Sequence, residues 1–161
     1  MGRVLDQNII CAIADQCTNF TIVLIGPKYT NINELEKRKN IVLLGARPHD
    51  QLPYYIKRFD VGIVPYVCNE FTEGVYPSKL NEYLAMGIPS VSTNLREVRE
   101  STNNFAKVAI ITDSVQDLVD AVRESVVENS VSFTELRIKA AEANSWESRF
   151  KGMSKILEEN I

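Results

Sequence analysis

The sequence predicts an α/β fold in which a twisted parallel sheet lies between layers of helices. Short apolar runs alternate with amphipathic helical patterns along the chain, the order expected of consecutive β-α-β units. The runs are nearly continuous in Val, Ile and Leu, as in strands that are covered on both faces. With 161 residues, 45% of them hydrophobic and 24% charged, the chain fits a single globular domain.

The elements follow from these patterns in chain order. A first helix is predicted where Leu5, Ile9, Ile13 and Cys17 recur at four-residue spacing. Strands are predicted at residues 20–25, 41–44, 61–64, 88–92 and 107–111. Further helices are predicted at residues 33–37, 49–59, 77–86, 115–128, 133–143 and 146–159. Because a Rossmann-like fold normally starts with a strand and this chain opens on a helix, the first strand is predicted to be missing.

Composition disfavours several classes of function. The net charge of −3 and the lack of a dense Lys/Arg patch argue against a nucleic-acid partner. Cys11, Cys17 and Cys68 form no C-x-x-C unit, so packing in a reducing cytoplasm is favoured over disulfides. One histidine and no His/Cys/Asp cluster predict no metal site. No apolar run approaches the ~18 residues of a membrane span, and no signal-peptide core is present.

Residues 76–89 carry the most specific chemistry. Pro77 suits the first helical position and Gly87 the left-handed residue after the last turn, which predicts a helix of about three turns. Lys79 then lies in the first turn, where the helix dipole disfavours a cation by roughly 0.3–1 kcal/mol unless an anion is bound. Glu82, one turn later, can accept hydrogen bonds from two hydroxyls. A phosphate beside a diol indicates a nucleotide.

The same two side chains allow a simpler interpretation. Lys79 and Glu82 are three residues apart on a helix and could form a solvated ion pair worth a few tenths of a kcal/mol. The local pattern does not decide between the two interpretations.

Residues 43–98 resemble the donor-binding half of GT-B glycosyltransferases, particularly bacterial retaining enzymes of cell-surface polysaccharide assembly. The matching residues are Gly45, Pro48-His49, Leu52-Pro53, the run from Phe59 to Tyr66, and Pro77-x-Lys79-x-x-Glu82-Tyr83-x-Ala85-x-Gly87-x-Pro89-x-Val91. Weaker similarity covers nearly the whole chain. The resemblance implies that residues 1–161 form the C-terminal donor-binding domain, with the N-terminal acceptor domain outside this chain.

The resemblance also implies an activity and roles for the motif residues. The reaction is transfer of a glycosyl group of hexosyl type from a nucleoside-diphosphate sugar to a sugar or lipid-linked acceptor, with no cofactor. Glu82 would hold the ribose hydroxyls, and Lys79 would hold the diphosphate and stabilise charge on the leaving group. No other catalytic residue is assigned to this half, so the isolated domain is expected to be inactive.

The loop before the motif helix departs from the family. Many retaining members carry a sugar-contacting Glu at the position of Gly74, whereas this chain has Glu73 one residue earlier. Either Glu73 takes the role after a one-residue shift, or backbone amides from Gly74 to Ser78 serve the sugar and phosphate. The loop at residues 67–76 is expected to be flexible.

Turns at the strand ends supply the remaining candidates. The resemblance places Gly26 near the nucleotide; Lys28 could contact phosphate, although a solvated loop lysine is the favoured interpretation. It places Arg47 and Pro48 beside the base.

Two further residues need separate interpretations. His49 is expected to cap the helix that follows it. Gly2-Arg3 resembles a diphosphate-approaching pair, which would make Arg3 a candidate, but Asn8 stands where the family has Lys.

Two other functions remain open at this point. A nucleotide-sugar epimerase of the same fold would share the donor site, but it should carry more catalytic acids and histidines than the sole His49. A receiver-like regulatory module would need acidic residues at its strand ends, whereas Asp60 precedes its strand. The expected partners are the nucleotide-sugar and the N-terminal half of the enzyme. The expected location is the cytoplasm, with peripheral attachment to the inner membrane face through the missing half.

Overall fold

The computed structural model describes residues 2–105, 107–127 and 131–159. Parallel strands alternate with helices, which confirms the predicted α/β class. In chain order the elements are α1 (Gln7–Gln16), β1 (Ile22–Ile25), α2 (Asn33–Glu36), β2 (Ile41–Gly45), a 3₁₀ turn (His49–Gln51), α3 (Leu52–Ile56), β3 (Gly62–Val64), α4 (Glu70–Glu73), α5 (Ser78–Ala85), β4 (Ser90–Thr93), α6 (Arg96–Thr102), β5 (Ala109–Thr112), α7 (Val115–Val127), α8 (Val131–Ala143) and α9 (Trp146–Glu159).

The strands form two parallel sheets instead of the single sheet that was predicted. β1 pairs with β2, and β4 lies between β3 and β5. A shared core joins the two sheets, because one cluster of buried side chains contains Ile13 of α1, Ile22 of β1, Val91 of β4 and Leu118 of α7.

The region between β2 and β3 differs from the single helix predicted at residues 49–59. A 3₁₀ turn leads into the short α3, which ends at Ile56. Pro53 in the first turn of α3 has no backbone N–H to continue an earlier helix, so the α-helix can only start there.

The segment predicted as a flexible loop contains the helical turn α4. The Asn69 side chain accepts from the Thr72 N–H at 3.0 Å, and the Thr72 hydroxyl accepts from the Asn69 N–H at 2.9 Å. This reciprocal capping, with Thr72 fully buried, orders a segment whose polar composition alone suggested mobility.

The ends of α5 show one prediction that is wrong and one that is confirmed. Pro77 has extended backbone, with ψ at 103°, and precedes the helix instead of occupying its first position. Gly87 has φ at +72°, the left-handed conformation predicted for the residue after the last turn. A Cβ at Gly87 would lie 2.5 Å from the Thr134 side chain, so α8 packs directly against this turn.

The last helix, α9, exposes an apolar stripe to solvent. Trp146 is 74% exposed, and Phe150, Met153 and Leu157 are similarly open to solvent. Within the described part of the chain, no helix has the length and apolarity needed to cross a membrane.

The cysteines are free thiols with different degrees of burial. Cys17 is buried, as the packing interpretation predicts, Cys11 is half-buried and Cys68 is exposed. Burial raises the pKa of the Cys11 thiol, which favours the protonated form.

Candidate functional site

A cavity of about 400 Å³ opens beside α5, where β1 and β2 end. In open parallel sheets ligands bind beyond the carboxyl ends of the strands, so this is the expected location for a site. The residues that line it are Val23, Ile25, Gly26, Pro27, Ala46, Arg47, His49, Leu52, Ile56, Phe59, Ser78, Lys79, Glu82 and Tyr83.

The first two turns of α5 bring the central candidates together. Ser78, Lys79 and Glu82 all line the cavity, with Lys79 exposed and Glu82 half-buried. In the described ranges neither charged side chain has an ion-pair partner within 4.0 Å. The structure therefore does not contain the solvated Lys79–Glu82 pair of the simpler interpretation, and both side chains are available to a ligand.

The negative charge of Glu82 acts on two neighbouring tyrosines, Tyr66 and Tyr83. Burial raises the pKa of Tyr83, and the negative charges of Glu82 and of an ionised Tyr66 would raise it further. Burial also raises the pKa of Tyr66, with a smaller contribution from Glu82. Both phenols therefore stay protonated at neutral pH.

Tyr83 fits closely against the backbone of β3. A Cβ at Gly62 would lie 2.3 Å from the Tyr83 ring, so only glycine permits this contact. The ring also forms part of a second cavity on the β3 side, together with Val23 and Phe59. Tyr83, Phe59 and Val23 therefore form the partition between the two cavities.

The turns after β1 and β2 form the opposite wall. The Gly26 N–H donates to the Gly45 carbonyl at 2.9 Å and so joins the two turns. Arg47 donates to the Tyr55 hydroxyl at 3.2 Å and to the carbonyl of Ala46 at 3.0 Å, which fixes its guanidinium at the rim. Pro48 is exposed between Arg47 and His49; these two neighbours line the cavity, whereas Pro48 does not.

Besides Pro48, four further sequence candidates are not among the residues that line the cavity. Lys28 forms an ion pair with Glu36, in accord with the favoured view of it as a solvated loop lysine. Glu73 and Gly74 lie at the end of α4, both exposed. Arg3 is exposed in the turn before α1. The backbone brings Ser78 but not residues 73–74 to the cavity wall.

His49 and Tyr83 are cavity residues that the sequence interpretation missed. His49 was expected to cap the following helix, but Pro48 is the residue that precedes the 3₁₀ turn and no side chain caps it. The position of His49 in the turn after a strand could have indicated a site residue. The position of Tyr83 next to Glu82 in the motif could have done the same. Elsewhere in the described ranges, no group of three His, Cys, Asp or Glu residues could hold a metal ion.

Residues 3–128 match the family described as Glycosyl transferases group 1. This chain belongs to that family. The match covers α1 through α7 and includes every residue that lines the cavity. It agrees with the helix-flanked parallel strands expected of a Rossmann-like half of a GT-B fold, and it favours a transferase over an epimerase or a regulatory module.

A relative gives a more specific comparison. The chain is 28% identical over 156 residues to the Bacillus subtilis (strain 168) protein TuaH, provisionally named a teichuronic acid biosynthesis glycosyltransferase. The alignment covers 94% of this chain and 39% of TuaH. This chain therefore spans about two fifths of the length of TuaH.

Proposed function

We propose that this group 1 glycosyl transferase chain is the donor-binding domain of a retaining enzyme that uses a nucleoside-diphosphate sugar. Its acceptor would be a sugar or lipid-linked sugar in cell-surface polysaccharide synthesis. The observation that carries the proposal is that Lys79 and Glu82, which are not ion-paired, both line one cavity at the strand ends. TuaH, with its name in teichuronic acid biosynthesis, supports the polymer class.

The proposed roles follow from charge and position. Lys79 lies in the first turn of α5, where backbone N–H groups and the helix dipole also favour a diphosphate. Its ammonium would stabilise the negative charge that develops as the diphosphate leaves. Glu82, one turn along the same face, would accept hydrogen bonds from both ribose hydroxyls.

The turns after β1 and β2, and the loop before α5, would supply the remaining contacts with the donor. Gly26 allows close approach of the nucleotide at the end of β1, and backbone groups near Arg47 and Pro48 would read the edge of the base. The sugar contact would come from Glu73 or from backbone amides between Gly74 and Ser78, after the loop closes over the donor.

Calorimetry with uridine and guanosine diphosphates tests the two main roles. Lys79→Ala should weaken binding by roughly 1.5–3 kcal/mol, the range for hydrogen bonds to charged groups. Lys28→Ala is the matched control and should change affinity little, because Lys28 is paired with Glu36 away from the cavity. Equal losses in the two variants would contradict the role of Lys79.

Glu82→Gln separately tests the proposed contact of Glu82 with the ribose hydroxyls. This variant should lose more affinity for the ribonucleotide than for the 2′-deoxy analogue, because the analogue lacks one of the two donors to the carboxylate. A uniform loss for both nucleotides would assign Glu82 to some other function.

We further propose that binding needs no metal, since lysine and helix N–H groups neutralise the diphosphate. Affinity should then persist in excess chelator. Loss on chelation that manganese or magnesium restores would refute this statement.

The chain is proposed to be half of an active enzyme, partnered by an N-terminal acceptor domain. Because half of the enclosing surface would be missing, nucleotide binding to this chain alone should be weak, with Kd on the order of 0.1–1 mM. No transfer should be seen, since the acceptor would be aligned only by closure of two domains. We place the enzyme in the cytoplasm, with attachment to the inner membrane face through the other half.

A further inference from the structure

The two C-terminal helices hold α5 at both of its ends. At the carboxyl end, Arg137 of α8 donates to the Gly87 carbonyl at 3.1 Å, and the Thr134 side chain packs against the same turn. At the amino end, the Arg149 guanidinium of α9 lies over the Tyr76 ring, 4.0 Å from the ring centroid. Both helices follow the residues that match the family. The helix that carries the nucleotide candidates is therefore supported by elements to which the family match assigns nothing.

Tyr76 lies in the segment between α4 and α5. Its hydroxyl donates to the Asn81 side-chain oxygen at 3.3 Å, across the first turn of α5. Ser78 begins α5 and lines the cavity beside it together with Lys79. Pro77, the single residue between Tyr76 and Ser78, is buried and has a restricted φ. A displacement of Tyr76 is therefore passed on to the start of α5.

Arg149 is itself held by the turn between α8 and α9. Its Nε donates to the Asn144 carbonyl at 3.3 Å. The Asn144 side-chain amide in turn donates to the Ser101 carbonyl of α6 at 2.9 Å. The guanidinium is thus anchored outside α5 and can act as a fixed support for the Tyr76 ring.

The contact between Arg149 and Tyr76 is a cation–π stack. A guanidinium within about 6 Å of a ring centroid is attracted to the negative face of the ring, and the attraction grows when the pair is desolvated. Both residues are half-buried. Burial raises the pKa of the Tyr76 phenol, and Arg149 lowers it by a smaller amount. The phenol therefore stays uncharged at neutral pH and keeps the proton that it donates to Asn81.

We propose that Arg149 is a positioning residue of the nucleotide site and that its stack on Tyr76 keeps Ser78 at the cavity wall. Lys79, the next residue along α5, is placed with Ser78. The inference rests on the proposed function, because it assigns Arg149 to the same nucleotide site. It gives α9 a role in donor binding although none of its described residues lines that cavity.

Variants of α9 test the proposal through nucleotide affinity. Arg149→Met removes the cation and keeps an unbranched side chain, whereas Arg149→Lys keeps a charge that can still lie over a ring. Lys151→Met is the matched control, because Lys151 pairs with Glu147 on α9 itself. Binding of uridine and guanosine diphosphates is measured by NMR titration of the 161-residue chain.

Amide hydrogen exchange in the same variants reports the position of the segment without any ligand. The Val75 and Leu80 amides are hydrogen-bonded on either side of Tyr76. The Ile88 amide is hydrogen-bonded just beyond the other end of α5 and serves as the reference. A local effect of Arg149 should reach the first two amides and not the third, whereas a general loss of stability should reach all three.

Arg149→Met should weaken nucleotide binding by about three- to tenfold, through loss of the cation–π attraction. It should speed exchange at Val75 and Leu80 by about threefold or more and leave Ile88 unchanged, because α8 still holds that end of α5. Arg149→Lys should retain most of the affinity. Lys151→Met should change neither measurement.

A double variant tests whether Arg149 acts through Tyr76. Adding Arg149→Met to Tyr76→Leu should cause no further loss of affinity, because the ring on which the cation acts is already absent. Losses that add in the double variant would overturn the proposal. Unchanged affinity in Arg149→Met while the unaltered chain binds nucleotide would also overturn it, as would an equal loss in Lys151→Met.

The exchange measurement separates this inference from the proposed function. Equal acceleration at Val75, Leu80 and Ile88 would assign Arg149 to general stability and overturn its positioning role. If the unaltered chain binds neither nucleotide, the proposed function fails, and the exchange measurement alone then decides whether Arg149 positions this segment.

Discussion

The two sheets differ in how well their strands are covered, and the more apolar strands are not the better covered ones. All four residues of β4 are buried, because β3 and β5 pair with its edges and helices cover its faces. In β1 only Ile22 is buried, and β2 has no buried residue. An isolated pair of strands is marginal in water, so β1 and β2 depend on the core they share with α1 and α7. The comparison teaches that an apolar run predicts a strand but does not predict its neighbours.

The largest expected effect concerns matched leucines in the two halves. Leu84 is 1% exposed in the core cluster around the three-stranded sheet, so Leu84→Ala should lower the free energy of unfolding by about 2–5 kcal/mol. Leu43 of β2 is half-buried, and Leu43→Ala should lower it by about 1 kcal/mol. Urea unfolding measures both values. Similar losses would show that the halves are equally well packed.

The next largest effect concerns two glycines, one in each sheet. Gly62→Ala should lower the free energy of unfolding by about 1–3 kcal/mol, because its Cβ must displace the Tyr83 ring. At Gly45 a new Cβ would meet open space. Gly45→Ala should therefore lower the free energy of unfolding by about 1 kcal/mol, through the left-handed φ of +70° alone. Only Gly62→Ala should also alter nucleotide affinity, since Tyr83 lines the cavity. Unfolding and titration calorimetry of both variants check this difference.

The smallest effect concerns a surface contact of the two-stranded half. Arg38 donates to both carboxylate oxygens of Asp15, at 2.9 and 2.8 Å, and this hydrogen bonding lowers the pKa of Asp15. A depressed folded pKa contributes stability above the unfolded value of about 3.9, and this contribution is lost as pH falls through the folded pKa. Arg38→Gln should return the pKa of Asp15 to its ordinary range, as an NMR titration would show.

A control for that titration lies within α7. The hydrogen bond from Gln116 lowers the pKa of Asp120 more than Arg123 does. Arg123→Gln should therefore move the pKa of Asp120 less than Arg38→Gln moves that of Asp15. The reverse order would mean that the contact between α1 and the turn before β2 is not maintained in solution.

The fold was largely predictable because each strand and most helices are marked by local periodicity. Gly87 fixed the end of α5, and the apolar runs located all five strands to within about two residues. The division into two sheets was not predictable, because an apolar run shows that a segment forms a strand but not which other strand it pairs with. Periodicity likewise shows the apolar face of α9 that contains Trp146 and Phe150 but not what covers that face.

The candidate site was predictable where a motif lies on one helix. Lys79 and Glu82 face the same cavity because they are separated by about one helical turn. Lys28 and Arg3 were candidates from turn position alone, and neither lines the cavity. His49 was missed because the capping role assigned to it depended on a helix start that Pro48 occupies instead.

The shared partition of Val23, Phe59 and Tyr83 has a thermodynamic consequence. A molecule that enters the second cavity and moves the Tyr83 ring would change the affinity of the first cavity for its ligand by some factor. Linkage then requires that a ligand in the first cavity change the affinity of the second cavity by the same factor.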